Sequence, residues 1–399
     1  MRIAILTSGI LPVPAVQGGA VENLTDFYLA YNDRHRLHDI TVYSVANEAV
    51  RHHPALRSAV NHYRFIDVSS LRAKVAKRLF GWLHRRDCHY HYTIAYFLHQ
   101  ALKDIRCRHY DVIILENRPA YALQLAAFTK ARLVYHLHNE NLTPQTANYQ
   151  ALYDAASLIL TVSDYIRSQV EQHAPARCKT LTIHNGIDLK AFSPETKPVP
   201  RAQLGLTDHD FVMVFSGRVT PEKGIMQLLE AMLLLKDQTD IKLLVIGSSF
   251  YGNADNSNPF THKLMTMGEP LKGRILFTGF IPYEQIPSYL RTADLAVIPS
   301  VWDDPFPTTV LEAQAIGLPV VSTRRGGIAE EVSTDTAILL DTDEHFVSHL
   351  AEAILDLYQH PDRRKQMGAA ALLHAQQFDK DCYARNFFNA LDNINPIST

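Results

Sequence analysis

The chain is poor in cysteine, and its cysteines follow no recognisable pattern. The four are Cys88, Cys107, Cys178 and Cys382 in a chain of 399 residues. None belongs to a C-x-x-C pair, so the sequence indicates neither a zinc site nor a disulfide framework. Such sparse, unpaired cysteines fit a reducing cytoplasm.

The chain also lacks a charge excess and a long apolar run. Its formal net charge is −2, which gives no overall attraction for nucleic acid, so we expect no nucleic-acid partner. No apolar run reaches the roughly 18 residues of a membrane-spanning helix. The opening residues, MRIAILTSGILPVP, lack the features of a signal peptide and are typical of a first strand. We therefore expect a cytoplasmic protein.

What the chain does have is a regular alternation of short β-rich segments with helical segments. The β-rich segments are 2–6, 39–44, 63–68, 111–115, 132–138, 157–163, 180–184, 211–217, 241–248, 274–279, 294–300, 318–322 and 337–340. Several are almost wholly apolar, as in strands that are buried on both faces. The alternation predicts parallel sheets flanked by helices, and the length predicts two such domains.

A polar, proline-rich stretch, HNGIDLKAFSPETKPVPRAQLGLTD, separates the two groups of strands. It predicts a first Rossmann-like, doubly wound domain over 1–184 and a second over 185–378. Residues 379–399 are expected to form a helix that packs back on the first domain. Ligands of such sheets lie beyond the carboxyl ends of the strands, so we expect the chemistry in a cleft where the two domains face each other.

Two cations and two glycines follow the first strand of the second domain. In FSGRVTPEKGI, Arg218 and Lys223 flank a turn, and Gly217 and Gly224 let the backbone approach a ligand closely. A helix begins directly afterwards, and its free N–H groups add to the positive charge. The segment therefore predicts a diphosphate site, although an isolated pair of this kind is usually two solvated surface cations.

Two carboxylates surround the turn in DDPFPTTVLEAQAIGLPVVS. Asp304 precedes a helix that begins near Pro307, and Glu312 lies one turn into it. Free N–H groups able to bind an anionic oxygen are expected at Thr308, Thr309 and Val310. Carboxylates accept hydrogen bonds from adjacent sugar hydroxyls, so the pair predicts a sugar-binding site. Taken singly, each acid is explained as a capping or surface residue.

The first domain offers weaker signals at the same ends of its strands. Gly18 and Gly19 lie between the first strand and the first helix, but they do not form a G-x-G-x-x-G fingerprint. Glu116 and His138 end two later strands, so both are expected at the ligand-facing edge. His136, in mid-strand, is interpreted as a satisfied core residue.

Together these segments resemble glycosyltransferase family 4, the retaining sugar-nucleotide transferases of the GT-B fold. The resemblance covers nearly the whole chain. It is strongest in FSGRVTPEKGI, LFTGFIP, YLRTADLAVIPS, DDPFPTTVLEAQAIGLPVV and RRGGIAEEV. Within the family, the chain is most similar to lipopolysaccharide core and capsule transferases, among them N-acetylglucosaminyltransferases.

The resemblance implies sugar transfer from a nucleoside-diphosphate sugar to a glycan or lipid-linked glycan acceptor. UDP-N-acetylglucosamine and UDP-glucose are the favoured donors, and the family generally works without a metal. The first domain would then bind the acceptor and the second the nucleotide sugar. The triplet DTD at 341–343 is interpreted as a turn and a cap, so no metal ligand is expected.

The family also implies roles for individual residues. Arg218 and Lys223 would stabilise the leaving diphosphate, Glu312 would hold the ribose, and Asp304 would hold the transferred sugar. The base pocket would be lined by Phe280 and Ile281.

The chain departs from the family pattern at two positions. Asp304 replaces a glutamate, and Glu116 stands where many relatives have a histidine. His138, on the next strand, is carried over as the catalytic histidine.

Residues 71–86, LRAKVAKRLFGWLHRR, form an amphipathic pattern with a basic face. It is typical of a helix on an anionic membrane surface and equally of a helix packed on its own domain. A lipid-linked acceptor favours peripheral contact with the inner face of the membrane. Two rival functions stay open: a GT-B sugar-nucleotide epimerase or hydrolase, and an inactive subunit that only binds a nucleotide sugar.

Overall fold

The computed structural model describes residues 1–83, 92–172, 179–248 and 259–394. Cys88, Cys178 and the final residues of two predicted segments (84–86 and 395–399) lie outside this description. The chain divides into two compact units. One comprises Met1–Asn185 with Asp381–Thr399, and the other Gly186–Lys380.

The first unit is built on a seven-stranded parallel sheet. Its strands are β1 (Arg2–Leu6), β2 (Asp39–Val45), β3 (Asn61–Ile66), β4 (Val112–Glu116), β5 (Arg132–Leu137), β6 (Leu158–Thr161) and β7 (Thr180–Thr182). The helices are α1 (Ala20–His35), α2 (Leu71–Leu83), α3 (Tyr92–Ile105), α4 (Ala122–Leu125), α5 (Tyr149–Ala155) and α6 (Asp164–Glu171). Short 3₁₀ turns lie at Glu48–His52, Pro54–Arg57 and Pro119–Tyr121.

The second unit contains a six-stranded parallel sheet. Its strands are β8 (Phe211–Ser216), β9 (Ile241–Ile246), β10 (Ile275–Gly279), β11 (Leu295–Ile298), β12 (Val320–Thr323) and β13 (Ala337–Leu340). The helices are α7 (Ile225–Leu234), α8 (Pro259–Met267), α9 (Ile286–Leu290), α10 (Thr308–Ile316), α11 (Phe346–Gln359) and α12 (Pro361–Ala375). The 3₁₀ turns are Arg201–Leu204, Pro221–Lys223, Glu269–Leu271, Tyr283–Gln285, Ile328–Glu330 and Gln376–Phe378.

Each sheet reverses its strand order once, and this reversal locates the place where a ligand can bind. The orders are β3-β2-β1-β4-β5-β6-β7 and β10-β9-β8-β11-β12-β13. The reversals fall between β1 and β4 and between β8 and β11. In open parallel sheets, ligands bind beyond the carboxyl ends of the two strands at such a point. The predicted doubly wound α/β fold is confirmed, since every predicted β-rich segment overlaps a strand of one of the two parallel sheets.

The last helix, α13 (Lys380–Asp392), belongs from Asp381 onward to the first unit. Its buried aromatic side chains join the core formed by β1, β2, β4 and α1. The ring of Phe387 stacks on that of Tyr28 with centroids 4.2 Å apart. The unit therefore combines the two ends of the chain in one core.

Helix α2 presents five of its apolar side chains to solvent, whereas Ala73 is buried. The exposed fractions are 80% for Leu71, 58% for Val75, 55% for Leu79, 71% for Trp82 and 64% for Leu83. The alternative in which this face packs on its own domain is therefore wrong for residues 71–83. No helix in the described part of the chain is long and apolar enough to cross a bilayer.

Candidate active site

The loops after β8 and β11 meet at the strand-order reversal of the second unit. Gly224 has φ 73°, and a Cβ atom there would lie 1.8 Å from the backbone oxygen of Pro299. Val301 N–H donates to the carbonyl of Glu222 at 3.0 Å. Only glycine permits this close approach, so the two loops form one local structure.

Lys223 and Asp304 form an ion pair at this junction. The Lys223 ammonium also lies 5.5 Å from the centroid of the Trp302 ring, and the Ser300 hydroxyl donates to Asp304 at 3.3 Å. The Asp304 side chain is 6% exposed and that of Lys223 is 19% exposed. Two residues predicted from separate motifs are therefore in direct contact.

Arg218 is the freer of the two predicted cations. Its side chain is 39% exposed, and its guanidinium lies 3.6 Å from the carboxylate of Glu222. Gly217 has φ 137°, and a Cβ atom added to it would lie 4.0 Å from the methyl group of Thr309. The Arg218 loop thus adjoins the first turn of α10.

Helix α10 begins at Thr308, and Pro307 precedes it without providing a side-chain cap. The first-turn N–H groups of Thr308 and Thr309 are therefore oriented toward an outside acceptor. Val310 differs from the prediction, because its N–H donates to the Pro307 carbonyl at 3.0 Å and its side chain is buried. The start of this helix therefore offers an anion two N–H groups, those of Thr308 and Thr309, instead of the predicted three.

Glu312 lies in the same helix and is 3% exposed. Burial raises the pKa of its carboxyl group to about 7, and hydrogen bonds from Thr308 and Tyr283 offset only part of this effect. Thr308 donates to it at 3.3 Å. Near neutral pH this side chain can therefore be either an acid or a carboxylate.

Phe280 and Ile281, predicted near a base, directly follow β10 and are half-buried. Tyr283, two residues later, was not predicted. Burial raises the pKa of Tyr283, and the neighbouring Glu312 raises it further. Its place in an otherwise ordinary loop gave no sequence signal.

Glu331 is the second residue that sequence reasoning missed. It is completely buried, and neither carboxylate oxygen has a hydrogen-bond partner among the described residues. Burial raises the pKa of its carboxyl group well above the usual value, and Asp304 raises it further. The preceding Gly327 donates its N–H to the Asp304 carbonyl at 2.8 Å, so Glu331 belongs to the same neighbourhood.

In the first unit, Gly18 and Gly19 lead directly into α1. Gly19 has φ 105°, and an added Cβ would lie 2.3 Å from Oε2 of Glu22. Gly18 has φ 76° and open space around it. Burial raises the pKa of Glu22 to about 7. Gly19 therefore makes room for a buried acid.

Glu116 ends β4 and is buried, with an exposed fraction of 1%. It accepts hydrogen bonds from Tyr28 at 2.8 Å, from His136 at 3.0 Å and from His138 at 3.1 Å. Burial opposes ionisation, but His136 and His138 outweigh it and hold the pKa of Glu116 far below its usual range. The hydrogen-bonding need of Nδ1 of His136 is thus met, as expected of a core residue, and its partner is this carboxylate.

Asn117 joins the loop after β4 to the loop after β5. It has φ 56°, a left-handed conformation that asparagine tolerates better than most residues. Its side-chain oxygen accepts from the N–H of His138 at 3.2 Å and from Asn141 at 3.1 Å. These bonds fix the backbone on which His138 is placed.

Glu116, His136 and His138 also have the composition of a metal site, because their donor atoms lie within 4.8 Å of one another. One feature disfavours a metal. Nε2 of His136 is buried and has no hydrogen-bond partner in the described part of the chain, whereas metal-bound imidazoles almost always donate their second N–H. The triplet at 341–343 is a turn, in which Asp343 accepts from the His345 N–H at 2.9 Å.

The second unit thus supplies cations, uncapped helix N–H groups and a buried carboxyl group at one edge of a sheet. Such a set can bind a phosphorylated, hydroxyl-bearing ligand. Most of the residues predicted for the site in this unit occupy adjoining loops and one helix. They are Gly217, Arg218, Lys223, Asp304, Pro307, Thr308, Thr309, Val310 and Glu312. Glu116 and His138 are in contact in the first unit, and Gly18 and Gly19 adjoin the buried Glu22.

Known proteins share both parts of this architecture. A putative glycosyltransferase of Bacillus subtilis, YtcC, is 27% identical over 94% of this chain and 88% of its own length. A lipopolysaccharide 1,2-N-acetylglucosaminetransferase of Salmonella typhimurium is 24% identical over 61% of this chain and 68% of its own. The crystal structure of HepE from Anabaena in complex with UDP-glucose is 23% identical. It covers 98% of this chain and 99% of its own, with a TM-score of 0.73.

A family model described as "Glycosyl transferases group 1" matches residues 197–374. That range contains every predicted site residue of the second unit. The chain therefore has the GT-B fold of two Rossmann-like domains, and its residues 197–374 are similar to the glycosyltransferase group 1 family.

Proposed function

We propose that this protein transfers a sugar, with retention of its anomeric configuration, from a UDP-sugar to a cell-surface glycan precursor. UDP-N-acetylglucosamine and UDP-glucose are the favoured donors, and a lipopolysaccharide, capsule or other polysaccharide precursor is the acceptor. The observation that carries the proposal is the set of Lys223, the uncapped start of α10 and buried Glu312 at one strand-order reversal. The names of the Salmonella relative and the HepE complex agree with it.

The cations and helix N–H groups would stabilise negative charge as it develops on the leaving diphosphate. Arg218 and Lys223 precede α7, and Thr308 and Thr309 open α10. Preorganised donors of this kind contribute most of the stabilisation in many enzymes. No metal is required by this scheme, because the protein supplies the positive charge.

The two acids would hold sugar hydroxyls. Glu312 would accept hydrogen bonds from the ribose hydroxyls, and Asp304 would hold the transferred sugar. Because Asp304 is paired with Lys223, it would also fix the ammonium that faces the diphosphate. Removing Asp304 would then affect both donor contacts and leaving-group stabilisation.

Nucleotide binding comes first among the tests. Thermal unfolding of the protein is measured with UDP, GDP, ADP and TDP, and then with their sugars. A ligand that binds only the folded state raises the midpoint by mass action. We expect the largest shift with UDP and one UDP-sugar, and loss of most of that shift in Lys223→Met. No shift with any nucleotide would contradict the proposal.

Transfer is then measured with the donor identified by that screen and with glycan acceptors. Transfer with retention, followed by the anomeric proton signal of the product, supports the proposal. Release of free sugar without any acceptor would favour a hydrolase or epimerase. Tight binding without turnover would favour an inactive binding subunit.

We further propose that α2 lies on the surface of an anionic membrane, where a lipid-linked acceptor would be found. The helix exposes five apolar side chains, Trp82 among them. Within 71–83 it carries Arg72, Lys74, Lys77 and Arg78 and no acidic residue. An apolar face with a basic flank binds anionic bilayers by burial and by charge together.

Sedimentation with vesicles tests this contact. We expect binding to vesicles containing phosphatidylglycerol, weaker binding to pure phosphatidylcholine, and loss of binding in Trp82→Ser. Leu373→Ser is a matched control, because Leu373 is 78% exposed on α12. Equal binding of Trp82→Ser and wild type would show that α2 is not the contact.

A further inference from the structure

Two imidazole rings share one carboxylate in the first unit. Nδ1 of His136 lies 3.0 Å from Oε2 of Glu116, and Nε2 of His138 lies 3.1 Å from the same oxygen. The two ring nitrogens are 3.3 Å apart. A charged carboxylate only accepts hydrogen bonds, so the nitrogen that faces it on each ring must carry a hydrogen.

The third donor keeps the carboxylate in place. Tyr28 donates to Oε1 of Glu116 at 2.8 Å, and the ring of Tyr28 is stacked on Phe387. Glu116 is 1% exposed, so water does not compete for its oxygens. The oxygens of the carboxylate are therefore occupied by hydrogen bonds from the two histidines and the tyrosine.

The two histidines differ at their other nitrogen. Nε2 of His136 is buried and finds no partner within residues 1–83, 92–172, 179–248 and 259–394, which suits an interior packing residue. His138 is 6% exposed at its side chain. Its Nδ1 has no hydrogen bond among the described residues and is not one of the buried unsatisfied atoms there. His138 is therefore the ring whose free nitrogen can meet a ligand.

We propose that Glu116 is a positioning residue that holds His138 as the Nε2–H tautomer, so that Nδ1 presents a lone pair to a substrate hydroxyl. The carboxylate does not touch the substrate in this arrangement. Burial and the neighbouring His136 together lower the pKa of His138 to about 4, although Glu116 acts to raise it, so the ring is neutral and Nδ1 is an acceptor at neutral pH. Its action on a hydroxyl rests on the proposed function.

The tautomer is measured directly in protein labelled with ¹⁵N at histidine. Long-range ¹H–¹⁵N correlations distinguish the two tautomers, and the His138→Gln spectrum identifies the signal by difference. We expect the Nε2–H pattern in the wild type at pH 7.5. In Glu116→Gln, whose amide can also donate, we expect a mixture of tautomers. A wild-type Nδ1–H pattern would overturn the proposal even if Glu116→Gln fails to fold.

Kinetics test the consequence. In the Nδ1–H tautomer the lone pair is lost, so we expect kcat of transfer in Glu116→Gln to fall in proportion to the fraction of Nδ1–H tautomer in its spectrum. The control is Glu48→Gln, because the Glu48 side chain is 79% exposed. Unchanged kcat in a folded Glu116→Gln protein would overturn the proposal. Absence of transfer in the wild type would instead count against the proposed function, and the spectrum would still decide the tautomer.

Metal analysis, together with the histidine spectrum, separates this arrangement from a metal site. We expect the purified protein to contain far less than one metal ion per chain and its histidine spectrum to be unchanged by EDTA. A stoichiometric metal that is lost in His136→Gln would overturn the proposal, because a metal on Nε2 of His138 would replace the hydrogen donated to Glu116.

Discussion

Under the proposed function, the buried carboxyl group of Glu312 would make donor binding sensitive to pH. Its exposed fraction is 3%, and burial raises its pKa to about 7. Two vicinal ribose hydroxyls donate hydrogen bonds, so they bind the carboxylate better than the neutral acid. Binding of a UDP-sugar should therefore strengthen as pH rises through 7, as the acid loses its proton.

The size of this effect follows from the pKa. A group with pKa 7 is roughly one-tenth ionised at pH 6 and roughly nine-tenths ionised at pH 8. If only the ionised form binds the ribose, the association constant rises about tenfold over this interval, or about 1.4 kcal/mol. Binding at pH 6 should release close to one proton per ligand.

Isothermal titration calorimetry with UDP-glucose provides the measurement. Both phosphates of this ligand are diesters that stay ionised between pH 6 and 8, whereas the terminal phosphate of UDP titrates there. Parallel titrations in two buffers of different ionisation enthalpy give the proton release. We expect Glu312→Gln to bind more weakly at pH 8 and to lose the pH dependence.

The control is Glu344→Gln, since the Glu344 side chain is 87% exposed in the same unit. It should keep the tenfold rise. The reasoning is refuted if wild-type affinity is equal at pH 6 and 8 with no proton release, or if Glu312→Gln retains the same slope.

Three further changes test the packing around the two sites. Gly224→Ala should lower the free energy of unfolding in urea by about 3 kcal/mol or more, because the added Cβ would meet a backbone oxygen. Gly205→Ala is the control, since Gly205 has φ 69° but no atom close to an added Cβ, and it should cost only about 1 kcal/mol. Glu331→Gln should raise the midpoint of thermal unfolding more at pH 8 than at pH 5. The pKa of Glu331 is raised in the folded protein, so the wild type loses stability as pH rises above the pKa of this group in the unfolded chain, and the glutamine variant does not. An equal shift at both pH values would contradict this. Phe387→Ala should cost about 3–5 kcal/mol, since the ring is fully buried against Tyr28, and an unchanged urea midpoint would argue against that packing.

The sheets were predictable because burial on both faces leaves a strong local pattern. Strands such as Ile241–Ile246 and Leu295–Ile298 are almost wholly apolar, and the next element described after each is a helix. The placement of Glu312 and Lys223 at carboxyl ends of strands follows from that pattern alone. These features depend on residues that are close together in the sequence.

Contacts between distant segments were not predictable in this way. The pairing of Lys223 with Asp304 depends on a glycine that admits a backbone oxygen from the neighbouring loop. The bond from Tyr28 to Glu116 joins residues 88 positions apart. The Val310 N–H was predicted to be free, yet a local turn uses it. Helical position alone does not show which first-turn N–H groups a preceding loop will satisfy.

The division of the first unit between both ends of the chain has a consequence for its synthesis. Residues Met1–Asn185 leave the ribosome first, but Tyr383, Phe387 and Phe388 of their core come from α13, near the end of translation. Domains usually fold in the order in which they emerge. Here the second unit, Gly186–Lys380, can complete its core while the ring of Tyr28 still lacks Phe387. The nascent chain therefore completes its second unit before the packing behind Glu116 and His138 is complete.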